Sequence, residues 1–162
     1  MSLFRRAFII TAIAALTACG FSPVYAPGGA GDGLKGSILI DEPDNRNEFS
    51  FVARLEERLG RAQASKYRLR YDIKTEAKGV GVTPAQETTR FNLFGTVTYA
   101  VIEQGTDKVL ATGKVENFTG YSATSLIVSS QSVTRDANQR LMVILADQIV
   151  ARLIATSADW RK

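Results

Sequence analysis

One residue type stands out for the chemistry it can do. The 162-residue chain holds a single thiol, Cys19, and no histidine at all. Without histidine, Ser-His-Asp and Cys-His catalysis and histidine-ligated metal sites are excluded. The carboxylates form no pair at a spacing that reads as an acid–base dyad. There is no phosphate-binding GxxxxGK[ST] loop and no GxSxG elbow, and no glycine-rich stretch has the strand-then-helix setting of a dinucleotide fingerprint; Gly79-Val80-Gly81 and Gly28-Gly29 are too short besides. The chain therefore reads as a non-enzyme, with no catalytic residue, no metal ligand and no disulfide. What remains for Cys19 is to be modified.

The residues before Cys19 say how. Met1-Ser2-Leu3-Phe4-Arg5-Arg6 leads into an apolar run from Ala7 to Leu16, then Leu16-Thr17-Ala18-Cys19. Two arginines, a short apolar stretch and small residues make an export signal. A run of about ten residues spans roughly 15 Å as a helix, half the roughly 30 Å of a bilayer core, so this is no stable span. Leu16-Thr17-Ala18-Cys19 resembles the lipobox of bacterial lipoproteins, which implies cleavage before Cys19 and covalent diacylglycerol and N-acyl lipid on it. An ordinary buried helix, or cleavage by the ordinary signal peptidase, are the weaker readings; the match of Arg5-Arg6 to a twin-arginine signal is loose, because Phe4 stands where Ser or Thr belongs. Residues 1–18 are thus read as a signal peptide, and 19–33, rich in glycine, as a lipidated N-terminus and flexible tether. Gly20, where an aspartate would signal inner-membrane retention, favours the outer membrane.

Removing Arg5 and Arg6 lowers the formal charge from +4 to +2 and leaves 144 residues, one domain's worth. So balanced a charge does not point to nucleic acid. Arg54-Arg58-Arg61 and Lys66-Arg68-Arg70 are basic clusters, read first as solvated faces of a helix and a strand.

The elements that position these residues follow from periodicity. Ser37 to Ile40 is a short strand. Phe51, Val52, Leu55 and Leu59 recur at helical spacing, with Asn47 or Asp44 to cap the start and Gly60 to end the helix. From Lys66 to Glu76, Tyr67, Leu69, Tyr71 and Ile73 alternate with charged residues, which is a strand with one dry face. Ala77 to Gln86 reads as a loop. Thr89 to Glu103 and Lys108 to Tyr121 form a hairpin about Gln104-Gly105-Thr106-Asp107. Apolar residues fall on both of its faces, from packing under loops or from a surface that meets a partner. Ser122 to Thr134 reads as a surface excursion, and a long helix runs from about Thr134, its cap, to Thr156. The tail after Ser157 is polar apart from Trp160. The fold expected is α+β: a two-layer sandwich over 34–157, order β-α-β-β-β-α, with two helices on one face of a four-stranded, mainly antiparallel sheet, and a polar, poorly ordered tail at 158–162.

With these residues in place a resemblance emerges. Cys19-Gly20-Phe21-Ser22-Pro23-Val24-Tyr25 is similar to the C-G-F-x-P-x-Y start of the LptE family of LPS-assembly lipoproteins, and the element order and the Arg135-Asp136-Ala137 start of the last helix agree. The resemblance implies an outer-membrane lipoprotein on the periplasmic side. It would plug and support assembly of the LptD β-barrel, and contact lipopolysaccharide on its way to the outer leaflet. Anionic lipopolysaccharide calls for exposed cations, and Arg68, Arg70, Arg90 and Lys114 are the candidates. The alternative is a periplasm-facing lipoprotein that binds a small amphiphile in its own pocket.

Overall fold

The computed structural model describes residues 23–82, 88–122 and 127–161. Cys19, the signal segment and the first four residues of the C-G-F-x-P-x-Y motif lie outside them. Residues 23–32 belong to a compact unit separate from the one that starts at Gly33. They form consecutive turns: the N–H groups of Ala26, Gly29 and Asp32 donate to the carbonyls of Pro23, Ala26 and Gly29, and Gly28 N–H donates to Asp32 Oδ2. The expected tether therefore carries local structure of its own.

From Gly33 onward the order is β1 (Ile38–Ile40), α1 (Arg46–Leu59), β2 (Tyr67–Val82), β3 (Thr88–Glu103), β4 (Val109–Ser122), α2 (Ile127–Ala155) and α3 (Ser157–Trp160). The strands form one sheet in the order β1-β2-β3-β4, with β1 parallel to β2 and the rest antiparallel. A parallel neighbour needs a crossover, and α1 supplies it. The expected two-layer α+β sandwich is present, with one short helix more than the sequence pattern had implied.

Helix α1 starts at Asn45, whose Oδ1 accepts from the N–H groups of Asn47 and Glu48, while Glu48 Oε2 accepts from Asp44 N–H. Neither Asn47 nor Asp44 is the cap; Asn45 sits three residues before a glutamate, the spacing that lets both ends of the first turn be satisfied together. Gly60 ends the helix at φ +77°, donating its N–H to Glu56.

Three boundaries differ from the pattern-based expectation. The stretch from Ala77 to Val82 continues β2 instead of looping, paired with β3 through register shifts at Gly79/Gly81 and Gly81/Val82. The glycines mark an irregular ladder, not its end. Helix α2 begins at Ile127, so Thr134 is interior and not a cap; its carbonyl accepts from Asn138 Nδ2. Finally, Trp160 is buried on α3 and meets Tyr67 edge-on, ring centroids 5.1 Å apart, which anchors residues expected to be loose.

The core lies between the sheet and α1 and α2. Phe51, Leu55 and Leu59 from α1 and Leu141, Leu145, Ile149 and Leu153 from α2 cover Leu69, Val97, Val101 and Val115. Helix α2 lies close to the sheet at Gly95: a Cβ there would come within 2.9 Å of both Leu141 and Leu145. Across the top of the two helices Arg54 grips Asp147 with two bonds of 3.0 and 2.9 Å, and Arg58 adds a third at 3.1 Å. Arg61 pairs with Glu56. Arg54 and Arg58 are thus spent on holding the two helices together, while Arg61 pairs back onto α1. Asp147→Ala is expected to lower the melting temperature by a few degrees, read by circular dichroism, because it leaves two guanidinium groups side by side without their shared acceptor.

Candidate functional site: the open face of the sheet

The helices cover one face of the sheet; strand alternation decides what the other face presents. On β2 it carries Arg68, Arg70, Asp72, Lys74, Glu76 and Lys78, on β4 Thr112, Lys114, Glu116 and Phe118, and β3 between them offers mostly small or polar groups such as Thr96, Thr98 and Ala100. The result is a charged, largely uncovered surface.

The four candidate cations are placed unequally. Arg68 Nε donates to Asp41 Oδ1 at 2.5 Å, and Arg70 Nε stands 3.9 Å from Asp41 Oδ2. Asp41 follows β1 directly, and its N–H donates to the Leu69 carbonyl, so the carboxylate is fixed beside β2. Lys114 Nζ lies 2.5 Å from Glu116 Oε1, and that hydrogen bond and charge hold the Glu116 carboxyl below the usual carboxylate range. Arg70 and Lys114 flank one shallow depression of about 570 Å³, floored by Thr98, Ala100 and Thr112 and open to solvent. Arg68 adjoins it. Arg90 does not: it pairs with Ser122 at the far end of β3, ten residues from Ala100, or about 33 Å along a strand. Three of the four candidates therefore share a region and Arg90 stands apart.

Two partners were missed by reading cations alone, Asp41 and Glu116. The second was readable, since i and i+2 on a strand share a face; the first depends on β1 lying beside β2, which no local pattern reveals.

Further along the same face Phe94 and Phe118 form a tilted pair, centroids 5.5 Å apart, with Lys78 Nζ 5.5 Å from the Phe94 centroid. Both rings stay exposed. Of the apolar residues on this face, Ile102 is buried, whereas the two phenylalanines face solvent. Among the described residues no helix is long and apolar enough to cross a membrane.

This architecture is shared. A putative lipoprotein from Caulobacter crescentus superposes with a TM-score of 0.67 at 16% identity, covering 81% of this chain and 97% of the other. The rare lipoprotein B of Shewanella oneidensis gives 0.60 at 14% identity over 78% and 98%. A minor lipoprotein of Acinetobacter baumannii gives 0.57 at 14% over 76% and 92%. At such identities the likeness is one of fold. A search of curated proteins with the sequence finds no match. The model of the family LptE, described as Lipopolysaccharide-assembly, matches residues 36–153, from the turn before β1 to the last turns of α2. A lipoprotein-like α+β sandwich with a charged open face, matched over most of its length, belongs to the LptE family of lipopolysaccharide-assembly lipoproteins.

Proposed function

We propose that this protein is the lipid-anchored partner of an LptD-like outer-membrane β-barrel, held on the periplasmic side by lipid on Cys19, and that it works by binding rather than catalysis. Its domain seats in the barrel as a plug, supports barrel assembly and contacts lipopolysaccharide in transit. The observation that carries this reading is the family match over residues 36–153. The open face suits it: barrel lumens are polar, and a sheet bearing alternating charges loses little on entering one. Recovery of the full chain from detergent-solubilised outer membranes should bring a large β-barrel protein with it. Recovery without one would overturn the proposal.

Lipopolysaccharide contact is assigned to Arg68, Arg70 and Lys114, the cations the fold gathers beside one depression, with Arg90 as a separate point. Each of the first three already has a carboxylate neighbour, so anionic lipid must compete with Asp41 or Glu116. Arg68→Glu with Arg70→Glu should weaken lipopolysaccharide binding at least tenfold in a direct titration while leaving the melting temperature within a few degrees. Unaltered binding would remove this strand from the contact. Asp41→Asn should act in the opposite sense, since it frees both arginines.

A further inference from the structure

Among the described residues the sheet ends at β4, which has β3 on one side and no strand on the other. Alternation determines what its free edge offers. Glu103 N–H donates to the Lys108 carbonyl across the hairpin at 2.9 Å, so odd-numbered β3 residues turn their backbone groups toward β4. In the register Val101↔Ala111, Val97↔Val115 and Phe91↔Tyr121 the odd residues of β4 answer them. Thr112, Lys114, Glu116, Phe118 and Gly120 must then point their N–H and C=O groups outward; in the single chain the Phe118 N–H donates to Asn117 Oδ1 at 2.8 Å, a contact an incoming strand must displace. A second contact agrees: the Lys114 carbonyl accepts from Arg152 Nη1 at 2.6 Å, reached from near the end of α2. The edge runs through 14 residues without a proline, a ready template for another strand. Arg152 sits on its middle.

An incoming antiparallel strand must set outward-pointing residues against outward-pointing residues. For a second copy of β4, centring the pair on Lys114 opposes two lysines, and centring it on Glu116 opposes two glutamates. Centring it on Val115 sets Lys114 against Glu116 of the second copy, twice by symmetry. The same register lays Phe118, 53% exposed, beside Thr112 of the second copy. Edge lysines ordinarily repel a docking strand; here Glu116, two residues on, makes the edge complementary to itself.

We infer that the free edge of β4 docks β4 of a second copy of this chain, antiparallel about Val115, and that Arg152 is the latch that holds this edge closed in the single chain. The inference goes beyond the barrel reading and does not depend on it.

Sedimentation velocity of the full chain in density-matched detergent tests it. Arg152→Ala, or Arg152→Gln as a second form, should tighten dimerisation at least tenfold over the wild type. Adding Lys114→Glu should abolish the gain by setting glutamate against glutamate, and adding Glu116→Lys to that chain should restore it. An Arg152→Ala chain no more dimeric than the wild type overturns the inference, even if it retains more barrel protein in a pull-down. So does a Lys114→Glu/Arg152→Ala chain that dimerises as well as Arg152→Ala, or a charge swap that restores nothing.

Discussion

Leu145→Asp is expected to leave the domain unfolded at room temperature, with no cooperative transition in a thermal melt. Leu145 is fully buried, and its Cδ1 comes within 2.8 Å of where a Cβ on Gly95 would stand. It therefore packs, with Leu141, directly on β3 at Gly95. Truncating a leucine in such a site costs about 3–5 kcal/mol by itself. Aspartate adds a charge among the apolar side chains of the core, and a buried unpaired carboxylate costs several kcal/mol more unless it takes up a proton. A domain of this size has about 5–15 kcal/mol in all, so the sum reaches or exceeds what is available. Leu145→Met, nearly equal in volume, is the control and should cost less than about 1.5 kcal/mol. A melting temperature unchanged by the aspartate would mean that α2 does not pack on Gly95.

How far the sequence displayed this fold depends on which force decided each element. The hairpin of β3 and β4 was legible because alternation and a tight turn are local: Gly105 at φ +92° and Asp107 at φ +54° occupy the positions such a turn demands. Helix α1 was legible from Phe51, Val52, Leu55 and Leu59, all four buried. The start of α2 was not. Ile127 to Val133 is rich in serine and β-branched residues, which have modest helix propensity, and a propensity difference of a few tenths of a kcal/mol per residue is easily overridden. Side chains then bond back to the helix, Arg135 Nε to Gln131 O and Asn138 Nδ2 to Thr134 O. Trp160 escaped because its burial rests on Tyr67, more than ninety residues away in the chain, and no window around the tail contains that partner.

The same distinction governs the candidate site. That Arg68 and Arg70 share the open face followed from counting alternate residues on one strand; that Lys114 joins them depends on the register of β3 between β2 and β4. That Arg68 and Arg70 are tethered to Asp41, and that Arg152 reaches the edge of β4, did not follow: both contacts join residues brought together only by the parallel placement of β1 and by the docking of α2. Charges on one strand can be read from sequence; their counter-charges on another element need the fold. The surface is consequently less basic in effect than the run Lys66-Arg68-Arg70 implies, which bears on how strongly it attracts an anionic lipid.

Cys19→Ser should have the largest effect on location while leaving the domain folded. A single acyl chain gives only marginal, reversible attachment, with an association constant near ~10⁴ M⁻¹, and each further buried methylene adds about 0.8 kcal/mol. The two or three chains that the Leu16-Thr17-Ala18-Cys19 segment implies make release negligible; with serine there is no sulfur to carry the thioether, and attachment falls to nothing. Radiolabelled fatty acid should no longer mark the protein, and the membrane-bound share should drop more than tenfold on fractionation. The melting temperature should not move, since among the described residues the core runs from Leu34 to Trp160. On the proposed barrel role, association should weaken without vanishing: lipid on Cys19 would confine the domain to the barrel's own membrane, and loss of that confinement would lower its effective concentration while leaving the open face intact. Continued fatty-acid labelling of the serine variant would refute Cys19 as the anchor. Full barrel recovery despite lost labelling would show that the docked domain alone holds the complex together.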